Sequence, residues 1–535
     1  METKHGFCTM KIITLIACLV AFPSIIMLSE NRQDRMFDLI ELAKLKIGIA
    51  SGFDSSQPED FSLGGLLASG FDPESCLSRS QSVHYCSPSS KKPSAYLVSK
   101  LRDYENLHKK CGPDTESYNR TVRVLDSRNV SSATECNYIV WIAHAGLGNR
   151  MLTMASAFLY ALLTRKVLLV EHNSDMSDLF CEPFPDTSWL LPPGFPMKKE
   201  IGFNRWNPNT LGNKLRNKMF NASTAPTPSY MYLFLASGAT FLDKLVYCEE
   251  YQDLLQRVQW LILRSDEYFV PSLFLMPSFR EELDRMFPDK ESVFHHLGRY
   301  LFHPSNKAWG LITRFYESYL TNAKEIIGLQ IRVFNPKNTS FPSLMDQILA
   351  CTTQENLLPK VDTRNLNLNI VASPSKNRTS KAVIITSLYS EFYANITDRY
   401  LTFPTTTEDV IAVYQASHEE HQVFGNSMHN VKAWVEIYLL SLSNVLVTSS
   451  ASTFGYVAQG LGGLKPWLLY RPETWNKSEP ACHQAMSMEP CLHIPPNYDC
   501  KKRAWVDMGN VVSYVRHCED VTSGLKLISN FTSSS

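Results

Sequence analysis

The chain has 535 residues, enough for a short leader and two domains of ordinary size, each able to bury a core. Its 52 basic and 52 acidic residues leave zero formal net charge. That balance excludes a nucleic-acid partner, which requires a basic surface that displaces counterions. Nine Trp and an aromatic content of 11% exclude a disordered polymer.

Residues 12–28 run IITLIACLVAFPSIIML without a charge, behind Lys4, His5 and Lys11. This length sits at the short end of a spanning helix and suits a thin early-secretory membrane. The expectation is a type II signal anchor: cytosolic tail 1–11, transmembrane span 12–28 and stem 29–60, with the remainder in the Golgi lumen. A cleaved signal peptide is the rival reading, but no small-x-small site follows Pro23. Glycosylation sequons at Asn119, Asn129, Asn221, Asn338, Asn377, Asn395, Asn476 and Asn530 fit a lumenal chain. Eleven cysteines follow residue 28, and an oxidising lumen pairs most of them and leaves at least one over. No Cys-x-x-Cys occurs, which argues against zinc.

A helix is predicted near 96–109. The regular part opens with strand YIVWIA (138–143), a glycine loop AHAGLGNR, helix MLTMASAFLYALL and strand VLLVE (167–171). Strand, helix and strand in about thirty-five residues make a βαβ unit and imply a parallel sheet. SYMYLFLAS reads equally as strand or buried helix. A second run predicts strand EIIGLQIRVF (325–334), helix SLMDQILACTTQ, strand AVIITS (382–387), helix 429–443, strand VLVTSS (445–450), helix FGYVAQGLG and strand WLLYRP (467–472). With a break near 300–320, the pattern predicts two Rossmann-like domains facing a cleft.

Three segments carry chemistry at strand carboxyl ends, where α/β sheets bind ligands. Gly146, Leu147, Gly148, Asn149 and Arg150 combine close backbone approach, a helix N-terminus and polar side chains. Met151 breaks the G-x-G-x-x-G pattern, so NAD or FAD binding lacks support, and a plain tight turn is the alternative. Arg332 offers a planar, permanently charged fork for a diphosphate, or else a structural ion pair. The run Ser449 to Tyr456 forms an anion cradle or an ordinary helix cap. A nucleotide diphosphate across the cleft accounts for all three. Asp-x-Asp is absent, so no metal is expected and phosphate charge falls to Arg332 and helix N-termini. G-x-S-x-G, Walker A and His-Glu-x-x-His motifs are absent too.

GLGNRMLTMASAFLYALL, GLQIRVF, SHEEHQ, MHNVKAWVEIYLLSLSNVLVTSSASTFGYVAQGLGGLKPW and HCEDVTSGLKLI together resemble the plant cell-wall α-1,2-fucosyltransferases of the xyloglucan type. The resemblance covers most of the chain beyond residue 60. It implies a GT-B-like fold with halves 61–315 and 316–535, GDP-fucose as donor, inversion at fucose and no cofactor. The acceptor is a cell-wall polysaccharide or arabinogalactan protein, at a xyloglucan galactose or an arabinose. Oligomeric state stays open, a homodimer included. Carried over, Asn149 and Arg150 lie by the donor, Arg332 meets the β-phosphate, and Ser452, Thr453, Phe454 and Gly455 surround the nucleotide, with Tyr456 adjoining. Asp266 in RSDEYF is the candidate general base, with a structural carboxylate as its alternative. Where the family carries Trp before S-T-F, this chain has Ala451, and His144 and Ala145 also depart from the pattern. A silent Golgi paralogue that keeps a glycan or GDP site is the competing reading.

Overall fold

The computed structural model describes residues 63–529, apart from 87–90, 128–134, 172–174, 197–204, 218–226, 338, 365–379, 424, 472–474 and 476–478. The anchor and stem expectations, and the sequons Asn129, Asn221, Asn338, Asn377, Asn476 and Asn530, lie outside the described residues. Among the described residues no helix is long and apolar enough to cross a membrane. Asn119 and Asn395 are both exposed.

The first sheet consists of β1 (Tyr138–Ile142), β2 (Val167–Val170), β3 (Tyr230–Leu235) and β4 (Trp260–Ser265), all parallel, in the order β2-β1-β4-β3. The second has β5 (Glu325–Gln330), β6 (Ser380–Thr386), β7 (Val410–Tyr414), β8 (Val445–Ser449), β9 (Trp467–Leu469) and β10 (Cys482–Gln484). Its order is β10-β9-β8-β5-β6-β7, parallel except for the β10 edge. SYMYLFLAS is thus strand β3. Strand β4 went unread: WLILRS is a short apolar run with no alternation, because both its faces are buried.

Alternation explains the layering. Tyr138, Val140 and Ile142 of β1 join an outer core with Tyr232, Trp260 and Ile262, while Ile139 and Trp141 face a central core. In the second sheet Ile327, Leu329, Val383 and Ile385 face another outer core, and Ala382 and Ile384 turn to the same central one. The central core is filled by α1 (Ala95–Cys111), α2 (Leu147–Thr164), α3 (Val293–Leu301), α4 (Asn306–Tyr319), α5 (Ser427–Ser441) and α6 (Thr453–Gly462). The two sheets therefore share one continuous apolar layer, not two separate cores.

Two further features depart from a simple two-part chain. The expected boundary at 315/316 falls inside the continuous helix α4. The segment after β10 returns to the first sheet's side, where Glu489 accepts hydrogen bonds from the Tyr268 hydroxyl and the Phe294 amide, each at 2.7 Å. Ten cysteines pair as Cys76–Cys181, Cys111–Cys136, Cys248–Cys500, Cys351–Cys482 and Cys491–Cys518, and Cys86 is free. The bridges close loops of 25 to 252 residues, which limits the unfolded chain.

Candidate active site

The carboxyl ends of β1, β5, β6 and β8 open on one cleft of about 440 Å³. Ala145 to Asn149 form one wall, and Arg332 and Phe334 another. Ala451 to Phe454 form a third, with Gln422, His429 and Asn430 alongside. All three segments singled out in the sequence thus meet at one place.

The glycine motif is less of a loop than expected. Gly146 caps α2, and Leu147 to Arg150 already form its first helical turn. Gly148 is required by packing: a Cβ there would lie 2.8–2.9 Å from backbone atoms of Thr453 and Phe454. Its absence lets the starts of α2 and α6 touch. Asn149 ties this junction together. Its amide nitrogen donates to the Asp266 carbonyl at 3.0 Å, and its oxygen accepts from the Thr453 hydroxyl at 3.0 Å. Because helix N-termini leave backbone N–H groups unpaired, the paired starts of α2 and α6 project partial positive charge into the cleft. His429 and Asn430, in the first turn of α5, face the same space.

Arg150 is placed differently from the expectation. It is buried, its Nη1 pairs with Asp175 Oδ2 at 3.0 Å, and it is not on the cleft wall. Asn430 Nδ2 donates to the same Asp175 oxygen at 2.6 Å. Arg150 thus braces α2 against α5.

Arg332 lies two residues beyond β5, which ends at Gln330 rather than continuing to Phe334. Its backbone N–H donates to Ser449 Oγ at 2.9 Å, tying the ends of β5 and β8. The guanidinium donates from Nη2 to Gln422 Oε1 at 3.2 Å and lies 5.7 Å from the Phe334 ring centroid. Among the described residues it has no carboxylate partner within ion-pair distance. Burial lowers its pKa, countered by Tyr389. A partly desolvated cation without an anion is a site for one.

The two acids nearest the cleft carry little free negative charge. Glu419 is taken by Lys432 at 2.5 Å and His429 at 3.1 Å. Glu436 accepts from the Ser417 amide and hydroxyl, and burial pushes its carboxyl up to about 7. Neither opposes a bound diphosphate as a bare carboxylate would.

The remaining residues of the Ser-Thr turn serve packing. Gly455 meets Thr448 so closely that no side chain fits, and the buried Tyr456 donates to Asp520 Oδ2 at 2.6 Å. The same oxygen accepts the Ala451 N–H at 2.8 Å, where Ala451 takes a left-handed φ of 58°. Asp520 therefore sets the turn's conformation, although it lies near the chain's end. His493 Nε2 lies 3.3 Å from the Tyr456 hydroxyl, and burial lowers its pKa.

Asp266 follows β4 and is outside the cleft wall. Its carboxylate accepts from the Ser237 amide at 2.8 Å and hydroxyl at 2.6 Å. Sequence reading missed Gln422, Glu419, Glu436 and His429, although SHEEHQ and MHN were among the segments carrying the resemblance. It also missed Asp520 and His493. One tempting metal cluster, Cys491, Cys518 and Asp520, is discounted because the two sulfurs are bonded to each other.

Parallel α/β sheets, a cleft at their carboxyl ends and unopposed positive potential define a nucleotide-diphosphate-binding α/β protein. Residues 41–501 match the family described as xyloglucan fucosyltransferase, and the chain belongs to that family. It is 54% identical to a galactoside 2-alpha-L-fucosyltransferase of Pisum sativum, over 91% of this chain and 86% of that one. A protein of the same description from Arabidopsis thaliana is 50% identical, covering 99% and 93%. The solved structure of an Arg-to-Lys mutant of Arabidopsis thaliana FUT1 in complex with GDP superposes with a TM-score of 0.81. It is 52% identical, covering 88% of this chain and all of that one.

Proposed function

We propose that the protein transfers L-fucose from GDP-fucose to the 2-hydroxyl of a galactose on a cell-wall glycan, with inversion at fucose. The observation that carries this is Arg332, a cation without a carboxylate partner among the described residues, on the same cleft as the starts of α2 and α6, in a chain half identical to galactoside 2-alpha-L-fucosyltransferases. The acceptor hydroxyl attacks fucose C1 as the bond to the β-phosphate oxygen breaks. Charge grows on that phosphate, so fixed positive groups aimed there stabilise the transition state more than the ground state. Arg332 and the N–H groups opening α6 supply them. The hydroxyl's proton goes to a base on the acceptor side, for which Asp266, oriented by Ser237, is the candidate.

Xyloglucan galactose is the favoured acceptor, with arabinogalactan-protein arabinose as the alternative. The test is transfer from GDP-fucose by the lumenal domain to a panel of plant glycans, with and without EDTA. Turnover on a galactosylated acceptor that survives chelation is expected. Activity lost to EDTA and restored only by manganese would sink the metal-free account of phosphate charge. No transfer to any galactoside would sink the acceptor assignment.

Ala451 lines the cleft where the family pattern has Trp. Its small side chain opens space without removing a phosphate donor. A working enzyme with weakened GDP binding is therefore the expected state, not a silent paralogue. Ala451→Trp should tighten GDP about two- to tenfold, the equivalent of about 0.5–1.5 kcal/mol for a stacked aromatic face. Isothermal titration of both forms decides it, and equal affinities would move residue 451 to an acceptor-side role.

We further infer a Golgi location with a type II anchor, supported by the charge-free span 12–28 and five disulfides. Protease added to sealed microsomes should leave the C-terminal region intact until detergent is present.

A further inference from the structure

A second concavity, about 560 Å³, lies away from the donor cleft and is built around three aromatic rings. Phe241 is 4.8 Å from Tyr498 and 5.4 Å from Trp505, centroid to centroid, and Tyr498 and Trp505 face each other across a two-stranded hairpin. Trp505 is 71% exposed. Phe241, Ile494 and Val511 are also exposed, so with Trp505 four large apolar side chains crowd onto one region of the surface. Such a cluster marks a binding surface rather than a core. The hairpin does not hang free: Cys500 in its turn is bonded to Cys248, which follows the Phe241 helix. The rings are thus preorganised on two elements stapled together.

Charge narrows the occupant. Glu249, Glu250 and Asp499 line this concavity together with Lys244, Arg280 and Lys501, three acids against three bases. A polyanion or polycation gains nothing here. A neutral pyranose chain does, because its C–H faces stack on exposed rings while its hydroxyls meet the charged rim.

The concavity is also connected to the donor side. It shares Lys244, Tyr247 and Pro496 with a small pocket floored by Glu267. Glu267 Oε2 accepts from the His493 amide at 3.0 Å, and His493 lines the donor cleft. The chain from His493 to Tyr498 therefore runs from donor cleft to aromatic platform, at most about 18 Å if fully extended.

We propose that Phe241, Tyr498 and Trp505 form a subsite that holds the backbone of a neutral acceptor polysaccharide while a side-branch sugar reaches the donor cleft. This rests on the reading of the protein as a glycan transferase. It adds which surface grips the polymer, and from that a preference for long acceptors over short ones.

The test uses Trp505→Ala, and Phe241→Ala combined with it, in the full-length protein. Three quantities are read: calorimetric binding of a xyloglucan-derived oligosaccharide, binding of GDP, and KM for that oligosaccharide against a short β-galactoside. Losing stacked rings should weaken oligosaccharide binding and raise its KM by at least about fivefold. GDP affinity and the KM of the short galactoside should stay as in the parent. Trp505→Ala removes a mostly exposed ring, so the single variant remains informative if the double one fails to fold. Unchanged oligosaccharide binding by Trp505→Ala with GDP binding intact overturns the subsite, as does a parent protein that binds no oligosaccharide. Trp505-dependent binding without any fucose transfer would uphold the subsite and reject the proposed reaction.

Discussion

Arg332→Lys is expected to lower kcat by about a hundredfold or more, with little change in thermal stability. Removing one well-placed transition-state donor typically costs about 2.7–4 kcal/mol, a hundred- to thousandfold in rate. Lys keeps the charge but presents a point ammonium in place of a fork. It cannot hold Gln422 Oε1 through one nitrogen while offering two parallel donors to a diphosphate. Stability should be spared because, among the described residues, the guanidinium makes only that one hydrogen bond, to an amide and not to an acid. The backbone N–H that ties it to Ser449 survives the substitution. Single-turnover kinetics with saturating GDP-fucose, alongside a melting curve, gives the answer. A variant with near-normal kcat would remove Arg332 from the chemistry.

The second large effect concerns a residue with no functional group. Gly148→Ala places a methyl 2.8–2.9 Å from the backbone of Thr453 and Phe454, and backbone cannot swing aside as a flexible side chain can. The starts of α2 and α6 must separate by several tenths of an ångström. Overpacking of this kind costs about 1–3 kcal/mol of stability. The functional loss should be larger, because the separation moves the Thr453 turn relative to Asn149 and Arg332. Misplacement near 1 Å in such a site costs about a hundredfold in rate. The expected signature is a modest fall in Tm with a loss of kcat/KM of that order. A stable variant with parental kinetics would show that the α2–α6 contact does not set the donor geometry. Ala at Gly194 is the control, since nothing lies within 4 Å of a Cβ there.

Asp520 shows how far the site reaches along the chain. It fixes the Ala451 turn from 69 residues away, and the Cys491–Cys518 bridge anchors the segment that carries it. The Ser-Thr turn is therefore shaped by a segment 69 residues further along the chain, not by its own residues alone.

Local pattern determined much of this protein. The strand-helix-strand order around residues 138–170, the helices at 427–441 and 453–462, and the three segments that line the cleft follow from nearest-neighbour chemistry and helical or strand period. The resemblance added the donor and the reaction. Strand β4 escaped because a strand buried on both faces has no alternation to betray it. Only tertiary structure decided what each polar side chain does. Arg150, in the first turn of α2, and Arg332, just beyond β5, both belong to segments singled out in the sequence, yet one is spent on Asp175 and the other meets only an amide oxygen among the described residues. Asn149 spans 304 residues to reach Thr453, and Gly148 matters because another helix arrives beside it. Sequence period reports which face of an element is apolar. It carries no record of which distant acid or backbone will meet a given side chain, and that meeting separates a brace from a ligand.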